Sequence, residues 1–237
     1  MTVAVMPVKG RGPLLKLTVS RLVRQGCKVI CVGSTPSEEK LCTMAGAEWL
    51  MIPDNICLGA KWQFGIDHAK KYNPKSIIIM GSSDMVQDGW VERMNEELDK
   101  GYAMVGTEGI YFLDIQPHNK KRMCRWAGYS NGRKGEPIGT GRMISAKALD
   151  LINWQLINKS INSSIDHSIC VNLNPVKDKF NKLIHNVEGL VCLSISTYKW
   201  TNMHNFEREC LNQGSYLVNP DDIISQYFPE MFNLFKE

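Results

Sequence analysis

Four consecutive residues, Gly81-Ser82-Ser83-Asp84, place a carboxylate at the end of an apolar run, residues 76–80. An acid emerging where a sheet meets solvent is a hard oxygen ligand for Mg2+ or Mn2+. A metal held there can bridge a diphosphate and stabilise the charge that develops as the diphosphate departs. The competing reading is an aspartate that only caps the next turn. Asp88 is the better cap for the helix that follows, which leaves Asp84 free. Two earlier strand ends also present polar groups: Pro7-Val8-Lys9-Gly10-Arg11 and Gly33-Ser34-Thr35. Lys9 and Arg11 read equally as a solvated pair. Lys120, Lys121, Arg122, Arg125 and Arg133 lie close together, either as a solvated loop or as a binding patch.

The elements that must position these groups follow from apolar spacing. Residues 3–6 form a short buried strand. Pro13 opens a helix in which Leu14, Leu15, Val19, Leu22 and Val23 recur at helical spacing, and Gly26 ends it. Residues 27–32 form a second strand, and Ser34 or Thr35 caps a helix that begins at Pro36. A third strand spans residues 48–52. A helix over residues 59–72 presents Trp62, Ile66 and Ala69 on one face. Residues 76–80 make a fourth strand of the kind buried in a parallel sheet. The next helix turns Val91, Met94 and Leu98 inward and stops at Gly101. This order predicts an α/β fold with a doubly wound, mostly parallel sheet, where ligands bind beyond the carboxyl ends of the strands.

After Gly101 the pattern changes. Residues 102–106 and 110–115 read as strands with no helix between them. Residues 116–141 read as a long polar loop, functional or mobile. Helices follow at 145–154 and 163–173, then a late strand at 190–196 and one helix after Asn219. The net charge of +4 fits anionic substrates and is too small to argue for nucleic acid. The eight cysteines form no CxxC pair and have no histidine at zinc-finger spacing. They are expected to be free thiols in a cytosolic protein. Pro7, Lys9 and Arg11 break the apolar start, so no signal peptide is expected. No apolar run reaches the ~20 residues of a membrane helix, and no transmembrane segment is expected.

The segment Pro53-Asp54-Asn55-Ile56-Cys57-Leu58-Gly59-Ala60-Lys61-Trp62, followed within one strand by Gly81-Ser82-Ser83-Asp84, resembles glycosyltransferases of the GT-A fold, family 2-like. It is similar in particular to the small glycosyltransferase domains of large algal DNA viruses and some bacteria. The resemblance covers roughly residues 3–210, by element order and motifs. It implies a GT-A-type, Rossmann-like sheet with a mixed C-terminal acceptor-side region, in a single domain over residues 1–237. Residues 1–101 would be the nucleotide-binding half, 102–215 the acceptor-side half and 216–237 a tail. A cytoplasmic location follows, the host cytoplasm if the chain is viral.

Carried over by position, Asp84 matches the metal-binding acid of that family, with Mn2+ or Mg2+ as the implied cofactor. Ser82 and Ser83 stand where the family often has another acid, a departure that implies either weaker metal binding or reliance on the diphosphate itself. A serine there can still meet a ribose hydroxyl. Pro7, Val8, Lys9 and Arg11 match the nucleotide end of the first strand, Gly33 and Ser34 join the donor site, and Lys61 matches a polar position near the base or ribose. Gly139-Thr140-Gly141-Arg142-Met143 resembles the glycine-containing loop before the acceptor-side helix. Arg142 would meet a phosphate or a sugar hydroxyl there; the alternative is an ordinary turn with a surface arginine. Asp166, in Ser163-Ser164-Ile165-Asp166, resembles the catalytic base of inverting members. Its alternative is an acid that stabilises a helix N-terminus. The fold often adds a C-terminal histidine ligand. His185 and His204 are the candidates, and His204 is the better placed, although a loop histidine is commonly a surface residue. His167 either orients Asp166 or does nothing. Trp126, Tyr129 and Trp154 stack on a sugar or sit in the core.

The implied activity is transfer of a hexosyl or deoxyhexosyl group from a nucleotide-diphosphate sugar, UDP favoured, to a glycan or glycoprotein hydroxyl with inversion. Two other readings stay open. One is a nucleotidyltransferase that makes a nucleotide sugar: Lys9-Gly10-Arg11-Gly12 faintly resembles a phosphate-gripping loop, although Pro13 removes one N–H donor. The other is a non-catalytic sugar-binding protein on the same fold, for which the missing second acid argues. A Rossmann oxidoreductase is disfavoured, because no G-x-G-x-x-G follows the first strand.

Overall fold

The first strand, β1 (Thr2–Pro7), is buried along its whole length. Val3 and Val5 face one apolar cluster, and Ala4 and Met6 face another. That division follows from the two-residue period of a strand, and it sets the layers of the fold. The computed structural model describes residues 1–198, 206–211 and 214–234. After β1 come α1 (Gly12–Arg24), β2 (Lys28–Gly33), α2 (Pro36–Met44), β3 (Glu48–Met51), α3 (Leu58–Ala69) and β4 (Ser76–Ile79). Then follow β5 (Asp84–Val86), α4 (Trp90–Asp99), β6 (Tyr102–Gly106), β7 (Ile110–Ile115), β8 (Lys121–Trp126), β9 (Arg142–Ser145) and α5 (Ala146–Leu151). The chain continues through α6 (Ile165–Leu173), β10 (Lys182–Asn186), β11 (Cys192–Thr197), α7 (Phe206–Cys210), β12 (Tyr216–Val218), α8 (Pro220–Tyr227) and α9 (Met231–Leu234).

The larger sheet has the order β10-β6-β9-β4-β1-β2-β3. The pairs β4-β1, β1-β2, β2-β3 and β10-β6 are parallel, and β9 runs antiparallel to both its neighbours. Leu15, Val19 and Leu22 of α1, Cys42 of α2 and Trp90, Met94 and Leu98 of α4 cover one face. Trp62 and Ile66 of α3, Ala148 and Leu149 of α5 and Ile169 and Leu173 of α6 cover the other. Helices on both faces of a mainly parallel sheet make the doubly wound α/β arrangement that the sequence predicts.

A second sheet, in the order β12-β8-β7-β11-β5, carries its own apolar layer against α8. Here the expected pattern needs correcting. Residues 116–141 are not one loop, because β8 pairs with β7 over residues 121–126. Asp84 does not stand at the mouth of a loop but is the first residue of β5, paired with Ser194 of β11. Asp88 does not cap α4, whose N-cap is Gly89 and has no side-chain cap bond; Asp88 instead pairs with Arg21 and Arg24. Among the described residues no helix is long and apolar enough to cross a membrane, and all eight cysteines are free.

The sheet and α3 approach closely at Gly65. A methyl group there would lie 2.5 Å from Val5 Cγ1 and 2.9 Å from Val32 Cγ2. Gly65→Ala should therefore destabilise the fold by about 1–3 kcal/mol through overpacking, even though alanine is favoured in helices by ~1 kcal/mol. A urea midpoint equal to or above that of the parent chain would refute this.

Candidate functional site

Asp84 gains its position from the turn that carries the chain out of the larger sheet. The Asp84 N–H bonds Gly81 O at 3.1 Å, and the Gly81 N–H donates back to Asp84 Oδ2 at 3.2 Å. A Cβ on Gly81 would lie 2.5 Å from that carboxylate oxygen, so a side chain there would displace the carboxylate. Thr140 Oγ1 donates to the same oxygen at 2.7 Å. Asp84 is 8% exposed, and its Oδ1 accepts no hydrogen bond among the described residues. Ser82 and Ser83 fill the turn and are buried.

Gly139 and Thr140 tie Asp84 to Asp166. While Thr140 holds Asp84, the carboxylate of Asp166 packs directly on the Cα of Gly139, in space that a side chain would take. The two acids thus contact successive residues of one short loop. That loop is fixed from both ends. The Trp90 indole N–H donates to Gly141 O at 3.0 Å, and Gly141, at φ +75°, has no room for a Cβ beside the indole. Arg142 donates to Ile138 O at 2.9 Å, to Pro137 O and to the backbone carbonyl of Asp166 at 2.7 Å. Arg142 is 0% exposed. The expected contact of Arg142 with a phosphate or sugar is therefore corrected: its guanidinium is enclosed and committed to backbone carbonyls.

Asp166 lies in the first turn of α6 and is half-buried. Tyr129 Oη donates to Asp166 Oδ2 at 2.5 Å, and Oδ1 accepts no hydrogen bond among the described residues. Burial, reinforced by the Asp166 charge, pushes the Tyr129 phenol up, so it stays a donor. His167 reaches Glu136 at 3.2 Å.

The first strand ends form a second polar group. Lys9 pairs with Asp54 at 3.3 Å, and Ser34 Oγ donates to Asp54 at 3.0 Å. These bonds, that of Ser34 first, hold the Asp54 carboxyl below its ordinary range. Lys61 is 6% exposed and makes no hydrogen bond or ion pair with a described side chain, although its charge is felt at Asp54. Pro7 and Val8 are buried. Gly33 is corrected in role: the Trp49 ring fills the space above it, so its missing Cβ accommodates an indole rather than a ligand. Burial pushes the Arg11 guanidinium down, against the opposing pull of Asp84 and Glu38, and it remains charged. Glu38 accepts the N–H groups of Gly10 and Arg11, which shapes the loop after β1.

Other candidates lie elsewhere. His185 stacks on Tyr102 and faces Glu97 at 3.5 Å. His204 lies outside the described residues. Trp154 is a core residue, with its indole N–H on Asp150. The basic stretch does not converge, since Lys121, Arg122 and Arg133 pair with Asp221, Asp114 and Glu136. Sequence reasoning did not assign Asp54, Thr140 or Glu38. Asp54 was legible within the quoted motif; the other two act through contacts that no spacing rule reports.

No family model matches the chain, and no curated protein matches it in sequence. Among solved structures, S. aureus TarS 1–349 superposes with a TM-score of 0.53 at 7% identity, over 82% of this chain and 60% of that one. TarS 1–349 in complex with UDP-GlcNAc superposes with a TM-score of 0.53 at 8% identity, over 94% and 63%. This chain thus spans less than two thirds of either TarS chain. A nucleotidyl transferase from Methanothermobacter thermautotroptrophicus overlays less well, with a TM-score of 0.47 at 13% identity, over 83% and 87%. The architecture is Rossmann-like and of the GT-A type.

Thr140→Val preserves shape and removes the donor to Asp84. A hydrogen bond to a charged group contributes about 1.5–3 kcal/mol, so stability should fall by that amount, while Thr140→Ser should retain most of it. Equal urea midpoints for the valine variant and the parent would count against this bond.

Proposed function

We propose that this chain transfers a glycosyl group from a nucleoside diphosphate sugar to an acceptor hydroxyl of a glycan or glycoprotein, with inversion, and that a UDP-sugar is the favoured donor. The observation that carries this reading is the placement of Asp84 and Asp166 on successive residues, Thr140 and Gly139, of one fixed loop. One acid then serves the leaving group and the other serves the nucleophile. The GT-A-type fold, shared with a TarS structure that holds UDP-GlcNAc, supports it. So does Lys61, whose charge is felt at Asp54 and would be available to a nucleotide at the strand ends. Lys9, Ser34 and Asp54 offer donors and an acceptor to the base or ribose on the same side.

Among the described residues no three metal-ligating side chains converge. Asp84 Oδ1 nevertheless suits a hard cation, since Mg2+ is commonly held by one or two carboxylates together with substrate phosphates. Bound there, Mn2+ or Mg2+ would neutralise charge on the diphosphate. Arg11, within electrostatic reach of Asp84, adds positive charge on the same side. Asp166 Oδ1 accepts the proton of the acceptor hydroxyl as its oxygen attacks the anomeric carbon. Its other oxygen is held by Tyr129.

The test is nucleotide release from UDP-, GDP- and dTDP-sugars, with Mn2+ or a chelator, by the parent chain and Asp166→Asn. Loss of a general base lowers turnover roughly 10²–10⁴-fold. Asp84→Asn should also reduce turnover and abolish any stimulation by Mn2+. Pyrophosphate release from a nucleoside triphosphate and a sugar phosphate would overturn the proposal in favour of nucleotidyl transfer. Retained anomeric configuration would remove Asp166 from its role.

A further inference from the structure

We propose that Tyr129 is a positioning residue for Asp166, the key member of a closed ring of side chains that fixes one carboxylate oxygen and leaves the other for the acceptor. The inference rests on the reading of Asp166 as the base and deepens it.

An aspartate carboxylate rotates in a broad torsional well. Packing on Gly139 alone would not choose which oxygen faces the acceptor. The hydrogen bond from Tyr129 Oη to Oδ2 makes that choice. Tyr129 is itself held on several sides. The Arg133 guanidinium lies 3.6 Å from the ring centroid, and Trp126 meets the ring edge-on at 4.9 Å. Arg133 Nε donates to Glu136 Oε2 at 2.7 Å, and Glu136 Oε1 meets Nδ1 of His167, the residue after Asp166. The circuit runs Tyr129, Asp166, His167, Glu136, Arg133 and back to Tyr129. It joins residues 129–136 to the first turn of α6. Arg142 bonds the backbone carbonyl of Asp166 and also reaches Cys170, one turn along α6. Arg133 occupies a ring face that a stacked sugar would need, which favours positioning over sugar contact for Tyr129. Small errors in placing a base cost disproportionate rate, so the ring has a kinetic consequence distinct from stability.

The experiment is a double-mutant cycle on UDP release from UDP-GlcNAc, with water as the acceptor, using the parent chain, Tyr129→Phe, Asp166→Asn and the double variant. Phenylalanine keeps the ring and its contacts. Tyr129→Phe should lower kcat by about ten- to a hundredfold, with KM for the donor unchanged and no more than the modest fall in Tm that loss of one hydrogen bond to a charged group brings. It should have no further effect in the Asp166→Asn background, because Tyr129 acts through that carboxylate. Independent, additive losses, or an unchanged kcat in Tyr129→Phe while Asp166→Asn is impaired, would overturn the positioning role alone. Full activity in Asp166→Asn would overturn the base itself and the inference with it, and no nucleotide release by the parent chain from UDP-, GDP- or dTDP-sugars would overturn the proposed transfer.

Discussion

One buried cation holds the site in register. Arg142 has no exposed surface, and its guanidinium spans the carbonyls of Pro137 and Ile138 on one side and that of Asp166 on the other. A buried charge is tolerated only when its donors are satisfied. The planar fork of arginine, with five N–H groups, can satisfy them from several carbonyls at once. The loop that bears Thr140 and the helix that bears Asp166 therefore share one anchor. The backbone at Asp166 cannot move far from residues 137 and 138 without leaving a buried guanidinium short of partners.

The two sheets cooperate around this anchor. β4 ends in the larger sheet, the Gly81 turn reverses the chain, and β5 opens the smaller sheet with Asp84. The Gly141 N–H returns to Ile79 O at 2.9 Å, so the loop before β9 closes against the end of β4. The first acid thus stands where the layers meet, and the second is carried to it by α6. Lys9, Ser34, Asp54 and Lys61 gather at the ends of the parallel strands, the usual side for ligands in such sheets.

Much of this was legible from residue order. The apolar runs and helical periods of the first hundred residues located β1 to β4 and their helices, because strands buried in a parallel sheet read as short apolar runs and the helices between them repeat their pattern over several turns. Asp84 was singled out from its place beside an apolar strand, and Asp166 only from its resemblance to the catalytic base of a glycosyltransferase family. β5 and β12, of three residues each, and the four-residue β9 are too short to show a period, and β8 is a strand made largely of Lys, Arg and Cys. Their identity depends on pairing with distant partners, which overrides local preference. Arg142 was misread for a related reason: a single arginine between a glycine and a methionine gives no sign of whether it faces solvent or carbonyls. Gly33 likewise gives no sign of the indole that covers it.

The arrangement of the two acids also bears on ancestry. Asp84 belongs to the first half of the chain, while Asp166, Arg142 and Thr140 belong to the second. Neither half alone holds more than one carboxylate of the pair. Exchange of segments between related genes at a crossover near Gly101 would yield a working offspring only if both parents shared the same loop geometry. A change at Gly139, Thr140 or Arg142 therefore has to be matched by one at the start of β5 or of α6, because the interlocked centre draws on both halves.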